Sequence, residues 1–276
     1  MELAAIVTNG IADGAPRVQA ASALAAVNLL EQLSDAAALT AAPAVATGLH
    51  ARLSGAATPA YVLAASADAL AMLAKKLGEA RGGVAIVRQL YPELMPIISN
   101  RLSSAVADRQ ADQRERVATA LVTALGALAG AAGSAGADDA DLTAAFARDA
   151  PGLVSGMVGL LSHEDLSGFG MRTAVHAALA KVAPLLGAGG FAGPLGALVP
   201  PLLASAEAEV EITFTEVEDR DDEGDGDTEV QYIERPDGKG FVQIIVNKSQ
   251  MDEKLLALQV TTAIPSSHHH VVISAR

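Results

Sequence analysis

The feature that most constrains the fold is a pattern of apolar residues that recurs four times along the chain. In each stretch the apolar side chains follow the three- and four-residue spacing that places them on one face of an α-helix. Pro16 and Pro59 stand near the first turn of two stretches, where a missing N–H is harmless. We expect Gly78 and Gly187 to end two of the helices in a left-handed conformation. The four stretches run from Pro16 to Ser34, Thr58 to Gly78, Arg114 to Gly130 and Phe169 to Gly187.

A second, shorter helical stretch follows each of these four. Two prolines, Pro96 and Pro200, fall inside the second stretches, where a proline costs about 3 kcal/mol, and they predict a tolerated kink. The repeating unit is therefore a long helix followed by a shorter one. The second stretches share an early proline and an apolar run that ends in a small polar residue; they are Ala42 to Gly55, Tyr91 to Ala105, Ala150 to Asp165 and Phe191 to Ala206.

The spacing of the units predicts how they assemble. The long helices begin near residues 16, 58, 114 and 169. The first interval agrees with the ~40–47 residues of a HEAT-type repeat, and the later intervals are longer by a loop. One helix pair cannot bury its apolar stripe, but stacked pairs can. We therefore predict an all-α fold, a HEAT/armadillo-like α-solenoid with about four helix pairs over residues 1–208. Aromatic residues are 3% of the chain and most apolar residues are alanine, which suits closely packed helices.

One segment is long and apolar enough to require a test against a membrane span. Val117 to Ala137 carries no charge over 21 residues and holds Gly126 and Gly130 at the spacing of a membrane dimerisation motif. Alanine, glycine, threonine and serine dominate it, and these residues drive insertion poorly. We expect a buried repeat helix that runs into a Gly/Ala-rich loop over Gly130 to Ala140, and no membrane insertion.

The helical pattern breaks after residue 208. Glu209 to Phe214 alternates like a strand, and Val230 to Val246 reads as two strands around a Pro-Asp-Gly-Lys-Gly turn. Between them, nine of the fourteen residues from Glu216 to Glu229 are acidic. We predict a small acidic loop and β-hairpin insertion over residues 209–248. A helix over 249–264, with Ser249 as its N-cap, would be the first of an incomplete fifth repeat, and 265–276 would be an irregular tail.

The ordered series near the C-terminus resembles the importin-beta (karyopherin-beta) nuclear import receptors, in particular the importin beta-three branch. In that branch a repeat ends in a Pro-Pro-Leu-Leu helix, and an acidic stretch, a Gly-containing hairpin and a helix opening with Glu-Glu-Lys follow. Order and spacing match across about 75 residues; the matching pieces here are Phe191 to Leu203, Glu216 to Glu229, Pro236 to Val246 and Ser249 to Ala257. The resemblance implies a central fragment of a longer receptor.

The resemblance also implies a function. It implies nucleocytoplasmic transport of basic, NLS-bearing cargo proteins, binding without catalysis, and a location in cytoplasm and nucleus. Ran GTPase and nucleoporins are partners of the full-length family, but no residue of this chain can be assigned to them. The candidate cargo-binding residues, which would act electrostatically, are Asp219, Asp221, Asp222, Glu223, Asp225, Asp227 and Glu229.

Several alternatives remain open at this stage. The acidic run has a second interpretation, as a solvated loop that keeps an Ala-rich protein soluble. As a Ca²⁺ loop it fails, because a motif that starts at Asp219 or Asp221 has Val230 or Tyr232 at its twelfth position. The net charge of −13 argues against nucleic acid. We expect no cofactor, metal site or catalytic residue. The rival functions are a HEAT scaffold without a transport role and an enzyme that pairs a His with a distant carboxylate.

Overall fold

The computed structural model describes residues 2–107, 113–135, 140–163, 166, 168–190, 193, 195–217, 228–236 and 240–263. These residues contain ten helices and three strands. In chain order they are α1 (Glu2–Ile11), α2 (Pro16–Gln32), α3 (Asp35–Ser54), α4 (Ala60–Glu79), α5 (Gly83–Ala107), α6 (Arg114–Ala135), α7 (Ala140–Leu161), α8 (Phe169–Gly190), α9 (Leu195–Glu207), β1 (Ile212–Val217), β2 (Thr228–Glu234), β3 (Phe241–Asn247) and α10 (Lys248–Ala263).

The helices form two layers, which confirms the predicted all-α solenoid of helix pairs. In the first-helix layer, α2, α4, α6, α8 and α10 each pack against the next. In the second-helix layer, α3, α5, α7 and α9 lie beside the first helices and contact one another less extensively. Each second helix packs most extensively on the first helix of the following pair, as α5 does on α6. Consecutive pairs are therefore interlocked rather than placed side by side.

Close approach of backbones holds the first-helix layer together. A Cβ atom added at Gly78 of α4 would lie 2.9 Å from the Cα atom of Ala131 in α6. One added at Gly126 of α6 would lie 3.0 Å from the Cα atom of Ala178 in α8. The expectation that Gly78 caps a helix is therefore wrong, because it lies within α4 and its missing side chain is what lets the next helix approach. Gly187 also lies within a helix, α8.

The uncharged segment belongs to α6, at the centre of the stack. The stretch Arg114–Ser134 passes the length and composition test for a membrane span, and 72% of its apolar window is buried inside the structure. Gly126 and Gly130 both face α8, where Gly130 lies against the aliphatic part of Lys181. The same small-residue spacing that suits a membrane dimer therefore serves here to pack neighbouring repeats. The helix reaches Ala135, so the loop predicted from Gly130 begins later than expected.

The second helices are longer than the sequence pattern indicated. α3, α5 and α7 have 20, 25 and 22 residues, as many as the first helices or more, and α9 is the short one with 13. The prolines taken as early residues, Pro43, Pro92 and Pro151, lie inside their helices. Each proline removes one backbone hydrogen bond, and the preceding turns continue as helix because packing against the first-helix layer offsets that loss. The predicted kink residues Pro96 and Pro200 are likewise within helices.

Two arginines donate hydrogen bonds to carbonyl oxygens at the C-terminal ends of second helices. Arg101 of α5 donates to the carbonyl oxygens of Leu53 and Gly55 at the end of α3, at 2.6 and 2.5 Å. Arg114 donates to the carbonyl oxygens of Ala105 and Val106 at the end of α5, at 2.8 and 2.6 Å. Cations suit helix C-termini, where carbonyl groups lack partners. Charged residues thus fix one repeat to the next, and Arg114 is buried rather than on a solvated face.

The three strands form one antiparallel sheet in the order β1-β3-β2. The predicted hairpin is β2 with β3, and Gly240 before β3 has φ of +102°, a conformation that favours glycine. β1 adds to the other edge of β3, so the alternating stretch after residue 208 joins the hairpin.

The helix after the sheet begins earlier than expected. α10 starts at Lys248, and the backbone N–H of Gln250 donates to the Asn247 side chain at 3.0 Å. Asn247 is therefore the N-cap, and the expectation for Ser249 is wrong. β3 and α10 are continuous in sequence, which fixes the sheet directly onto the last helix of the stack. The division of the chain at residues 208, 248 and 264 stays a prediction.

Candidate binding surfaces

The acidic run is the first predicted site, and most of it lies outside the described residues. Glu229 alone of the predicted residues is described; the others are Asp219, Asp221, Asp222, Glu223, Asp225 and Asp227. Glu229 lies in β2, is exposed, and accepts a hydrogen bond from the Gln231 side chain at 3.0 Å. The structure thus places one predicted acid on a strand edge, and the role of the run stays a prediction.

The acidic run begins at the end of β1 and ends at the start of β2, and these two points lie at opposite ends of the sheet. Val217, the last residue of β1, pairs with Phe241, whereas Thr228, the first residue of β2, pairs with Asn247. Phe241 and Asn247 are the two ends of β3, so the anchor points are separated by about 20 Å along the sheet. Glu216 of β1 forms an ion pair with Arg235 near the turn end. Negative charge therefore borders the sheet at both of its ends.

A partly buried ion pair joins the sheet-bearing helix α10 to the solenoid. Glu253 of α10 accepts from Arg172 of α8 through both of its oxygens, at 2.9 and 3.2 Å, and from the Ser205 hydroxyl of α9 at 2.6 Å. Burial alone would raise the pKa of the Glu253 carboxyl, but the hydrogen bonds from Arg172 and Ser205 outweigh it and hold the pKa below its usual 4.5. Glu253 is therefore charged at neutral pH, and it fixes three helices together.

A pocket of about 730 Å³ opens beside this ion pair. Its walls come from the end of α7, from α8 and α9, and from the start of α10, with Arg172, Ser205 and Glu253 at its base. Arg172 and Glu253 pair with each other there, and the Glu209 side chain at the wall is exposed. The pocket lies where the sheet joins the stack.

The histidines do not form a catalytic arrangement in the described part of the chain. His176 of α8 is completely buried, and neither ring nitrogen has a hydrogen-bond partner among the described residues. Burial lowers the pKa of His176; the nearby Glu253 charge opposes this shift and Arg172 adds to it. The Nε2 atom of His163 lies 3.1 Å from the Arg114 guanidinium. No cluster of three metal-ligating side chains occurs among the described residues, and the run His268 to His270 lies outside them.

The second site emerges from the structure, as a groove between α5 and α7 in the second-helix layer. It has a volume of about 590 Å³. Gly156 of α7 lines it, and a Cβ atom added there would meet nothing within 4 Å. Prolines of α5 line the opposite wall, and their ring atoms replace N–H groups. The groove residues are Tyr91, Pro92, Met95, Pro96, Ser99, Leu102, Ser103, Ala145, Arg148, Asp149, Gly152, Leu153 and Gly156.

A polar contact crosses the floor of this groove. The Tyr91 hydroxyl donates to the Asp149 carboxylate at 2.9 Å, and the Tyr91 ring packs on Phe146 with centroids 6.0 Å apart. Burial, with the Asp149 carboxylate adding to it, raises the pKa of Tyr91 far above its usual value, so the hydroxyl stays a donor. Arg148 lies beside Asp149 at the exposed rim. The floor thus combines aromatic rings with one partly exposed carboxylate, which accepts hydrogen bonds from Tyr91 and Arg148.

Sequence reasoning missed both the groove and the anchor Glu253. The prolines of α5 were visible, but no local pattern shows which helix faces them. Glu253 lies near the start of the predicted helix over 249–264, but its partner Arg172 is 81 residues away in sequence, so no local pattern shows the pairing. The one feature of the sequence that singles out Glu253 is the resemblance, because Glu253 and the following Lys254 both belong to the matched helix motif.

The comparisons with known proteins come from structure, since no family model matches the sequence and no curated protein is similar to it in sequence. A crystal structure of Kap121p bound to Pho4p matches 98% of this chain and 22% of its own, with a TM-score of 0.61 and 19% identity. A further crystal structure of Kap121p matches 98% of this chain and 23% of its own, with a TM-score of 0.60 and 19% identity. The karyopherin Kap121p bound to the extreme C-terminus of the protein phosphatase Cdc14p matches 95% and 22%, with a TM-score of 0.59 and 19% identity.

The chain has the fold of a karyopherin solenoid. This confirms, at the level of the fold, the resemblance that the C-terminal motifs indicated. The match also covers the N-terminal helices, which showed no specific motif in the sequence. The chain spans between a fifth and a quarter of the length of the karyopherin structures it matches.

Proposed function

We propose that this chain is part of a nucleocytoplasmic transport receptor of the importin-beta type that binds basic segments of cargo proteins. The observation that carries the proposal is the match of nearly the whole chain to Kap121p structures, several of which hold a bound protein. The bound group in one of them is the extreme C-terminus of a protein. The net charge of −13 supports a basic partner, since it speeds encounter and strengthens binding at low salt.

The acidic run and the α5/α7 groove supply different parts of this binding. The run would attract lysines and arginines, through Asp219, Asp221, Asp222, Glu223, Asp225, Asp227 and Glu229. The groove offers an apolar floor and the Asp149 carboxylate to an extended segment. We assign no residue to Ran GTPase or nucleoporins, and we propose binding without catalysis, in cytoplasm and nucleus.

The test is the affinity of a Lys-rich localisation peptide at two salt concentrations. We expect replacement of Asp221, Asp222 and Asp225 by Asn to weaken binding about tenfold at low salt, as three weak charge contacts would. The loss should shrink at high salt, because ions screen exposed charges beyond about 10 Å at 0.1 M. A matched control replaces the exposed Glu2, Glu31 and Glu79 by Gln, which removes equal charge from α1, α2 and α4.

The outcomes separate the proposal from its rivals. If the control weakens binding as much as the Asn variant does, net charge alone attracts the peptide and the run is only a solvated loop. If the peptide does not bind at any salt concentration, the chain is a scaffold without a transport role. An enzyme of the rival kind would require a pocket with a His and a carboxylate, and neither the pocket beside Glu253 nor the α5/α7 groove is lined by a described histidine.

A further inference from the structure

One face of the three-stranded sheet carries six apolar side chains and is open to solvent. Alternate residues of a strand point to the same face, and the strand register places these six together. Phe214, Ile233 and Ile212 are 67%, 56% and 49% exposed. We name this surface the apolar sheet face; its residues are Ile212, Phe214, Ile233, Val242, Ile244 and Val246.

The register arranges this face as three rows of three side chains. The apolar residues form a diagonal band, and Glu229 and Glu216 stand at diagonally opposite corners. From strand spacing and rise, the face measures about 10 by 14 Å. The rows are Ile212–Val246–Glu229, Phe214–Ile244–Gln231 and Glu216–Val242–Ile233.

On the opposite face of the sheet, the centre of β3 is buried, whereas Thr213 and Thr215 of β1 are exposed. Gln243 on that face is 6% exposed and donates to the Tyr232 hydroxyl at 3.3 Å. The Tyr232 ring packs edge-on against Phe241, with centroids 6.5 Å apart, and β2 contacts α10. An antiparallel sheet with one packed face ordinarily shows polar residues on the other. A contiguous apolar surface there is a candidate for an interaction site.

We propose that the apolar sheet face binds a segment of a partner protein in which apolar side chains are flanked by lysines or arginines at both ends. This inference rests on the proposed function and adds to it the apolar part of the recognised segment. Among the described acidic residues, Glu216 of β1 and Glu229 of β2 border this face, one on each edge strand. Basic side chains at the segment ends reach the Glu216 and Glu229 corners, while its apolar side chains cover Phe214 and Ile233.

The acidic residues beside the apolar sheet face favour a basic-flanked segment over a neutral or acidic segment and over a second copy of the chain. A neutral or acidic apolar segment would bring no countercharge to the bordering acids. A second copy of the chain would bring a second charge of −13 to the same place. Glu216 forms an ion pair with Arg235, and its side chain is exposed. Because exposed ion pairs contribute little free energy, Glu216 can exchange Arg235 for a basic side chain of the partner.

The experiment compares two labelled peptides on the full chain. One has alternating leucine and isoleucine between lysine pairs; the other keeps every lysine and replaces the apolar residues by serine. We expect the apolar peptide to bind about tenfold more tightly than the serine peptide, the effect of covering one or two large apolar side chains. This advantage should persist at high salt, where the contribution of the acidic run disappears.

Variants then locate the effect. Phe214→Ser on β1 and Ile233→Ser on β2 should each remove most of the advantage, and two variants on different strands guard against a local folding defect in either. Thr215→Ser, exposed on the opposite face of β1, is the matched control and should leave it unchanged. Circular dichroism of the helices verifies that each variant is folded.

The outcomes distinguish failure of this inference from failure of the proposed function. Equal binding of the two peptides by wild-type protein overturns the inference but leaves the proposed function standing, whereas failure of both peptides to bind overturns the proposed function itself. An apolar advantage that survives both sheet variants places the apolar contact elsewhere and overturns the inference. Self-association of the wild-type chain that Phe214→Ser abolishes would identify a second copy as the occupant, which also overturns it.

Discussion

The two helix layers run along the same solenoid, but neighbouring helices approach each other differently in each. In the first-helix layer, Gly126 leaves just enough space for the backbone of Ala178. In the second-helix layer, Gly152 and Gly156 of α7 face open space, and prolines interrupt the hydrogen bonding of α5. Glycine therefore permits close packing in one layer and lines a groove in the other. The contrast indicates that the first layer is the more closely packed, and under the proposed function the second layer supplies the surface for a partner.

The largest difference in stability should appear when glycine is replaced by leucine once in each layer. Gly126→Leu forces a side chain into the contact between α6 and α8, and we expect it to lower the free energy of unfolding by about 3 kcal/mol. Gly159→Leu, on α7 where an added Cβ meets nothing within 4 Å, should raise stability by several tenths of a kcal/mol, since leucine favours helix over glycine. Thermal and urea unfolding measure both. Equal losses in the two variants would remove the distinction between the layers.

The next effect concerns Glu253, where the layers meet. Glu253→Gln keeps the shape but leaves Arg172 without its charged partner, and we expect a loss of about 2 kcal/mol at pH 7. The folded-state pKa of Glu253 lies below 4.5, so its stabilisation is present above pH 4.5 and is lost as the pH falls through the folded value. The difference between wild type and variant should therefore shrink below pH 4.5. Asp252→Asn, exposed on the adjacent position, is the control and should change stability little.

A smaller effect is expected at His176, the buried histidine of the first-helix layer. Its pKa is lowered in the folded state, so the unfolded chain takes up the proton first and stability falls as the pH drops below 6.5. His176→Leu removes this loss and also removes two unpaired ring nitrogens, for a gain of about 1 kcal/mol. Urea unfolding between pH 5 and 7.5 measures both effects. The half-buried His50→Leu variant should keep the acid-side loss, and a His176→Leu protein with an unchanged pH profile would contradict the assignment.

The smallest effect tests the floor of the α5/α7 groove. Tyr91→Phe removes the hydrogen bond to Asp149 and should lower the free energy of unfolding by no more than about 1 kcal/mol. Tyr61→Phe, at the more exposed start of α4, should have a negligible effect. A loss at Tyr91 as large as that of Gly126→Leu would mean that the groove, rather than the first-helix layer, holds the stack together.

Sequence patterns predicted the parts of this fold that depend only on residues close to one another in the chain. The starts of α2, α6 and α8, the paired helices and the β2–β3 hairpin follow from apolar spacing and turn residues. The starts of α3, α5 and α7 did not, because a proline was taken as an early residue where the helix continues through it. Gly78 could be read as a cap or as a packing position, and only its neighbour Ala131 decides between them.

The binding surfaces were predictable to a smaller extent. The acidic run is visible as composition, yet the apolar sheet face appears only when β1 is paired with β3, because Phe214 and Ile233 are not neighbours in sequence. The groove likewise depends on the spacing between α5 and α7. Long-range register and helix spacing are properties of the assembled stack, and no single segment contains them.

Hydrogen–deuterium exchange with and without a Lys-rich peptide tests the distinction between the layers most directly. We predict that α4, α6 and α8 exchange most slowly in the free protein, because close packing protects their amides. We also predict that the peptide adds protection to α5, α7 and the three strands and leaves α4, α6 and α8 unchanged. Exchange in α4 and α6 as fast as in α5 and α7, or new protection confined to the first-helix layer, would contradict the account.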